Sequence, residues 1–146
     1  PNQIFAVSLP HSPLNIEQAR QVLAVVEKEL LTLYGLRTLN PADPHYIGRY
    51  ARSMAQRDAA YHQGTVWPWL IGPFVQACLK VRGTDPAVKR RTRACLAPLL
   101  EHFGRDGCLG TLSEVFDGDP PHRPGGAVAQ AWSVAEVLRA WHLCRD

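Results

Sequence analysis

The chain has 146 residues, 46% of them hydrophobic, and a formal net charge of +3. This length supports one hydrophobic core, and the longest mostly apolar run, Val66 to Leu79, is broken by Pro68, Gly72, Pro73 and Gln76, short of the roughly 20 residues that a membrane span requires. The basic cluster Lys89, Arg90, Arg91 and Arg93 is too local for a nucleic-acid footprint, and Cys78, Cys95, Cys108 and Cys144 lack the CxxC spacing of a zinc site or a disulfide framework.

Neither nucleic acid nor a membrane is therefore expected as a partner, no cofactor is indicated, and free thiols fit a cytoplasmic location. No secretory signal is predicted. The first residue is Pro1 rather than Met, and the residues after it read as the interior of a domain, so the chain is expected to be an excised portion of a longer polypeptide.

Pro1 to Leu9 is mostly apolar and suits a short buried helix, with the proline in its first turn, or a strand; the helix is favoured. Asn15 and Gln18 form a capping-box pattern. A long one-sided helix follows, with Ile16, Ala19, Val22, Leu23, Val26, Leu30 and Leu33 on one face and Gly35 as its stop. Leu36 to Gln63 reads as a long loop containing Tyr46, Tyr50 and Tyr61. From Gly64 to about Val81 the spacing predicts a helix apolar on nearly all sides, hence buried. Gly83 ends it, and Asp85 followed by Pro86 starts another, amphipathic to about Phe103. The last helix, Ala127 to about Cys144, is apolar around much of its circumference and reads as buried.

The pattern is all-α, alternating buried and surface helices. If inner helices form a ring and outer ones cover it, the loops leading into the inner helices emerge at one end. Such an end gathers Gln3, the Tyr61 to Trp69 segment and the Glu114 to Trp132 segment into one cleft. The second segment, rich in glycine and proline, carries Glu114, Asp117 and Asp119 among apolar residues, which argues for a loop folded against a core. Glu114, flanked by Val115 and Phe116, is the central candidate for a general acid or base.

The cleft would hold Tyr61, His62, Gln63, Trp67 and Trp69 from one loop and Glu114, Asp117, Asp119, His122, Gln130 and Trp132 from the other. Flat aromatic faces beside acids, amides and imidazoles suit a sugar, which presents apolar C–H faces rimmed by hydroxyls. A metal held by His62, His122 and Asp117 is disfavoured, because the histidines lack i,i+4 spacing.

The runs PNQIFAVSLP, YGLRTL, RDAAYHQGTVWPWLIGPF and LSEVFDGDPPHRPGGAVAQAWSVAEVLRAW together resemble the C-terminal part of bacterial and archaeal glycogen debranching enzymes of the amylo-α-1,6-glucosidase type. YHQGTVWPW and SEVFDGDPPH are specific blocks, although YHxGxVWP also occurs in related trehalase-like and glucosidase-like (α/α)6 barrels. The resemblance spans nearly the whole chain. It implies a partial (α/α)6 barrel of about five helices, with residues 1–146 as the C-terminal portion of the catalytic domain.

It also implies removal of α-1,6-linked glucose from glycogen or a branched α-glucan with inversion, one carboxylic acid protonating the leaving oxygen and one carboxylate activating water. The position matching the base is Glu114. The acid implied is an aspartate in a Trp-Met-Asp segment, which this sequence lacks. An inverting mechanism needs two carboxyl groups roughly 6.5–9.5 Å apart, so the isolated chain is expected to be inactive. An incomplete barrel also exposes an apolar edge, so self-association is expected. Two other readings fit the residues: a module that binds α-glucan through Tyr61, Trp67, Trp69 and Trp132 without hydrolysis, and a related (α/α)6 hydrolase acting on trehalose or another small glycoside.

Overall fold

Asn15 opens the first long helix in the manner its sequence dictates. Its side chain accepts from the Gln18 backbone N–H while the Gln18 side chain accepts from the Asn15 N–H, satisfying two of the donors a helix start leaves free. The computed structural model describes residues 1–145. In chain order these form α1 (Gln3–Ser8), α2 (Ile16–Glu29), β1 (Leu31–Thr32), β2 (Gly35–Arg37), α3 (Met54–Ala60), β3 (Val66–Trp67), α4 (Ile71–Arg82), α5 (Pro86–Arg93), α6 (Ala97–Arg105), β4 (Val115–Phe116), β5 (Pro124–Gly125) and α7 (Ala131–Leu143). Among these, no helix is long and apolar enough to cross a membrane.

The helices carry the core and α4 is its axis. Ile71, Phe74, Val75 and Cys78 of α4 are buried, and α4 touches α1, α2, α5 and α7. Against it pack Ile4 and Val7 of α1, Leu23 and Val26 of α2, Leu96 and Leu99 near the start of α6, and Val137 and Ala140 of α7. Arg139 of α7 forks onto Glu136 and donates to Gln76 of α4 at 2.7 Å, joining the two helices at their polar margin.

An all-α fold is not what these residues build. Five short strands form one antiparallel sheet in the order β1-β2-β3-β4-β5, with Leu36 opposite Trp67 and Val66 opposite Phe116. Strands of two or three residues show no alternation to read. The predicted long helix stops at Glu29, because the chain turns back through the β1-β2 hairpin and Gly35 serves as a strand residue. The predicted loop 36–63 contains β2 and α3, the latter opened by a Ser53–Gln56 capping box. The predicted helix from Gly64 begins as β3 and a 3-10 turn, since Pro68 supplies no N–H, and becomes α-helical only at Ile71. The helix after Asp85 is divided into α5 and α6 by a 3-10 turn at Ala94–Leu96, just before Pro98.

The last helix begins four residues later than its periodicity indicates, after an extended Gln130. It is buried on one face only: Leu138 is 66% exposed, and Trp132 and Trp141 also reach solvent. Leu138 and Trp141 line an open apolar groove with Leu100 and Phe103 of α6.

Gly35 shows how tightly the sheet meets the turn before α4. At φ 136° a Cβ there would lie 2.5 Å from the Trp67 carbonyl oxygen and 2.9 Å from the Pro68 Cα. Gly35→Ala is expected to lower stability by about 3 kcal/mol, from strain and overpacking together. Gly104→Ala, in helix α6 with open space around it, is expected to raise stability by about 0.5–1 kcal/mol. Urea unfolding midpoints at unchanged m-value measure both, and equal shifts for the two variants would contradict the packing described.

Candidate active site

Glu114 directly precedes β4, and the β4-β5 pairing sets its surroundings. Val115 faces Gly125 across the ladder, so the chain continues antiparallel and the Glu114 N–H donates to the Ala127 carbonyl at 2.9 Å. The Ala127 N–H returns a bond of 2.7 Å to Glu114 Oε2. Gly126, at φ 69°, is what permits this closure, because a Cβ there would run into Oε2. On the other oxygen, Tyr61 donates its hydroxyl to Oε1 from the end of α3.

Both carboxylate oxygens therefore have a donor, while Glu114 remains only half-buried. These two bonds fix the orientation of the carboxylate, which stands beside the aromatic cleft rather than in its lining. The Tyr61 phenol is pushed well above its ordinary pKa, first by burial and then by its bond to Glu114, so it remains a donor across neutral pH.

Tyr61 is also the junction to an aromatic wall. Its ring centroid lies 4.7 Å from Trp67 and 5.0 Å from His62, and its carbonyl accepts the Trp67 indole N–H at 3.0 Å. His62 stacks on Trp67 at 5.5 Å, Trp132 meets Trp67 edge-on, and Trp69 stacks on Trp132 at 5.1 Å. His62, Trp67, Trp69 and Trp132 line a cleft of about 300 Å3. Trp67 is 5% exposed and Trp132 45%, so Trp67 backs the wall while Trp132 and His62 offer open faces.

The remaining predicted residues divide. Gln3 is outside the cleft, in a groove with Gln21 and Val25, because α1 turns it outward; Asn2 stands in the cleft instead. The Gln63 side chain is exposed, and its carbonyl accepts the Ile47 N–H at 2.6 Å. Gln130 is half-buried and ties α7 to Leu112 through its N–H at 2.9 Å. Asp117, 5% exposed, accepts from Arg49 Nη1 at 3.1 Å and from the Tyr50 N–H at 2.8 Å. Asp119 accepts the Tyr46 hydroxyl at 3.0 Å. Both carboxylates brace the 46–50 loop. His122 is buried with Nδ1 2.8 Å from the Asp117 carbonyl oxygen, and among the described residues no group of three or more His, Cys, Asp or Glu has metal-holding geometry.

Sequence reasoning did not reach Arg49, which bonds Asp117, or the buried pair His102 and Ser113. His102, 3% exposed, is 3.1 Å from Ser113 Oγ through Nε2. Burial lowers the pKa of His102, opposed by Asp106 near Nδ1. A lone histidine on the apolar face of a helix was the available signal.

A lowered folded-state pKa favours the neutral imidazole, so the contribution of His102 is present above the unfolded value, about 6.5, and is lost as pH falls through the lower folded value. Urea unfolding midpoints of His102→Gln, measured at a series of pH values, are expected to depend less on pH below about 6.5 than those of the unmodified chain. An identical pH dependence would place the acid-sensitive group elsewhere.

Residues 1–139 match the family described as amylo-alpha-1,6-glucosidase. The glycogen debranching enzyme of Saccharomyces cerevisiae is 31% identical over 83 residues, covering 53% of this chain and 5% of that relative. The chain thus spans a small part of the length of that protein. With the family match running from α1 into α7, the chain belongs to the amylo-alpha-1,6-glucosidase family.

Proposed function

We propose that the chain is the C-terminal portion of an (α/α)6 glycosidase catalytic domain, and that it supplies the general base for hydrolysis of α-1,6-linked glucose at branch points of glycogen or a similar α-glucan. The observation that carries this reading is Glu114, oriented by Tyr61 and Ala127 and joined through Tyr61 to the aromatic wall. The sugar lies against Trp132 and His62, a water sits on the open side of Glu114, and the carboxylate takes its proton as the oxygen attacks the anomeric carbon with inversion. Water and leaving group occupy opposite faces of the sugar, so the acid that protonates the departing oxygen comes from a residue outside this chain. Asp117 and Asp119 are committed to Arg49, Tyr50 and Tyr46. The isolated chain therefore binds glucan without turning it over. The stacked Trp69 and Trp132 pair favours binding as the second reading, since it needs no acid.

In the full-length protein, Glu114→Gln preserves the local structure. The amide oxygen accepts from Ala127, and the amide N–H donates to a Tyr61 hydroxyl that rotates to accept. The variant lacks only the basic oxygen. Its kcat on a branched α-glucan is expected to fall roughly 10²-fold or more with KM little changed, and added azide, which needs no deprotonation, to restore part of the rate. His62→Ala is expected to raise KM without azide rescue. Near-normal kcat for Glu114→Gln would end the assignment.

Tyr61→Phe removes one of the two donors to the Glu114 carboxylate without emptying the wall. Its kcat is expected to fall about tenfold, the worth of one charge-assisted hydrogen bond. An unchanged kcat would show that Tyr61 does not position the base.

A further inference from the structure

A second cavity lies apart from the aromatic cleft. It measures about 630 Å3 and lies between the 47–59 segment and the 117–124 loop. Three arginines line it, Arg49, Arg52 and Arg123, against a single acid, Asp117. Asp117 is already paired with Arg49, whose other nitrogen donates to the Pro120 carbonyl at 2.7 Å. Arg52 and Arg123 have no side-chain hydrogen bond or ion pair among the described residues, which leaves two positive charges uncompensated at one cavity. Arg52 also has φ 72°, a conformation that residues with side chains rarely adopt and that recurs at ligand sites. The rest of the lining is different: Tyr50, Pro121 and Pro124 present flat apolar surface.

Two exposed guanidinium groups at one cavity supply the positive charge and the N–H donors that a phosphate dianion takes. A phosphate group alone is far smaller than the cavity, and the Tyr50 and proline faces suit the C–H face of a sugar ring. Tyr50 also stands beside Tyr61, with ring centroids 5.5 Å apart, so the cavity adjoins the residue that holds Glu114. We propose that this cavity binds a phosphorylated sugar unit, the phosphate monoester on Arg52 and Arg123 and the ring on the Tyr50 side. That the unit belongs to an α-glucan rests on the proposed function; the phosphate site itself does not.

Isothermal titration of the 146-residue chain with glucose 6-phosphate, orthophosphate and glucose, at constant ionic strength, tests it. Glucose 6-phosphate is expected to bind about tenfold more tightly than either of the other two. Arg52→Gly accommodates φ 72° without strain, so its Tm is expected to stay level or rise while affinity for glucose 6-phosphate falls about tenfold. Arg123→Gln is expected to weaken the same binding. Glu114→Gln is expected to leave it unchanged, which separates this cavity from the proposed catalytic role. Undiminished binding by the doubly substituted Arg52→Gly, Arg123→Gln chain would overturn the proposal. Equal affinity for orthophosphate and glucose 6-phosphate would overturn the sugar part and retain a phosphate site.

Discussion

The site depends on one strand contact, Val66 of β3 opposite Phe116 of β4. These residues are far apart in sequence, and each belongs to a segment that leads toward a helix, β3 into α4 and β4 by way of β5 into α7. Strands of two residues have little stability of their own; here burial supplies it, since Val66, Val115 and Phe116 are all in the core. The Phe116 ring stacks on Tyr34 at 4.3 Å and meets His102 edge-on at 4.9 Å, so the β1-β2 turn and α6 grip the same point. Closing so long a loop carries an entropic penalty, which is offset only once these aromatic contacts have formed. Tyr61 can meet Glu114 because this junction brings their segments together.

Around that junction the acids of one loop divide the work. Asp117 and Asp119 face the 46–50 loop, and Arg37 adds a bond of 2.8 Å to the Gly118 carbonyl between them. A buried carboxylate needs a partner, and breaking such a pair leaves an uncompensated charge; Asp117 has both Arg49 and a backbone N–H. This fixes the loop rigidly. Glu114 has softer surroundings, one phenol and one amide, neither of which carries a charge. Glu114 thus differs from Asp117 in having no cationic partner among the described residues.

Capping chemistry and helical spacing were legible in the sequence. Asn15 and Asp85 each cap a helix where local rules place its start, whereas the apolar run of α4 turns α-helical only at Ile71, after a strand and a 3-10 turn. The β1-β2 turn was hidden because Leu30 and Leu33 continue the helical spacing of α2, while tertiary pairing of Leu36 with Trp67 takes the chain into the sheet. For α7 the composition is apolar around much of the circumference, yet Leu138, Trp132 and Trp141 are left exposed. The Tyr61, His62, Trp67, Trp69 and Trp132 cluster was expected from two loops meeting in one cleft, and in the structure the β3-β4 pairing joins the segments that carry it. Arg49 could not be found that way, since a lone arginine in a loop has no pattern, and Gln3 was misplaced because a short helix can turn either face inward.

The arrangement of the indoles gives the chain a built-in optical reporter. Trp69 and Trp132 stack nearly parallel, 19° apart, with Trp67 edge-on to Trp132. Transition dipoles this close couple, so the three absorb as a chiral group rather than as separate chromophores. Trp141 is apart from them, beneath the Arg93 guanidinium at 5.5 Å. The cleft therefore contributes to the near-ultraviolet dichroism of the chain as a coupled group, a signal that reports on the packing of Trp67, Trp69 and Trp132 without any label.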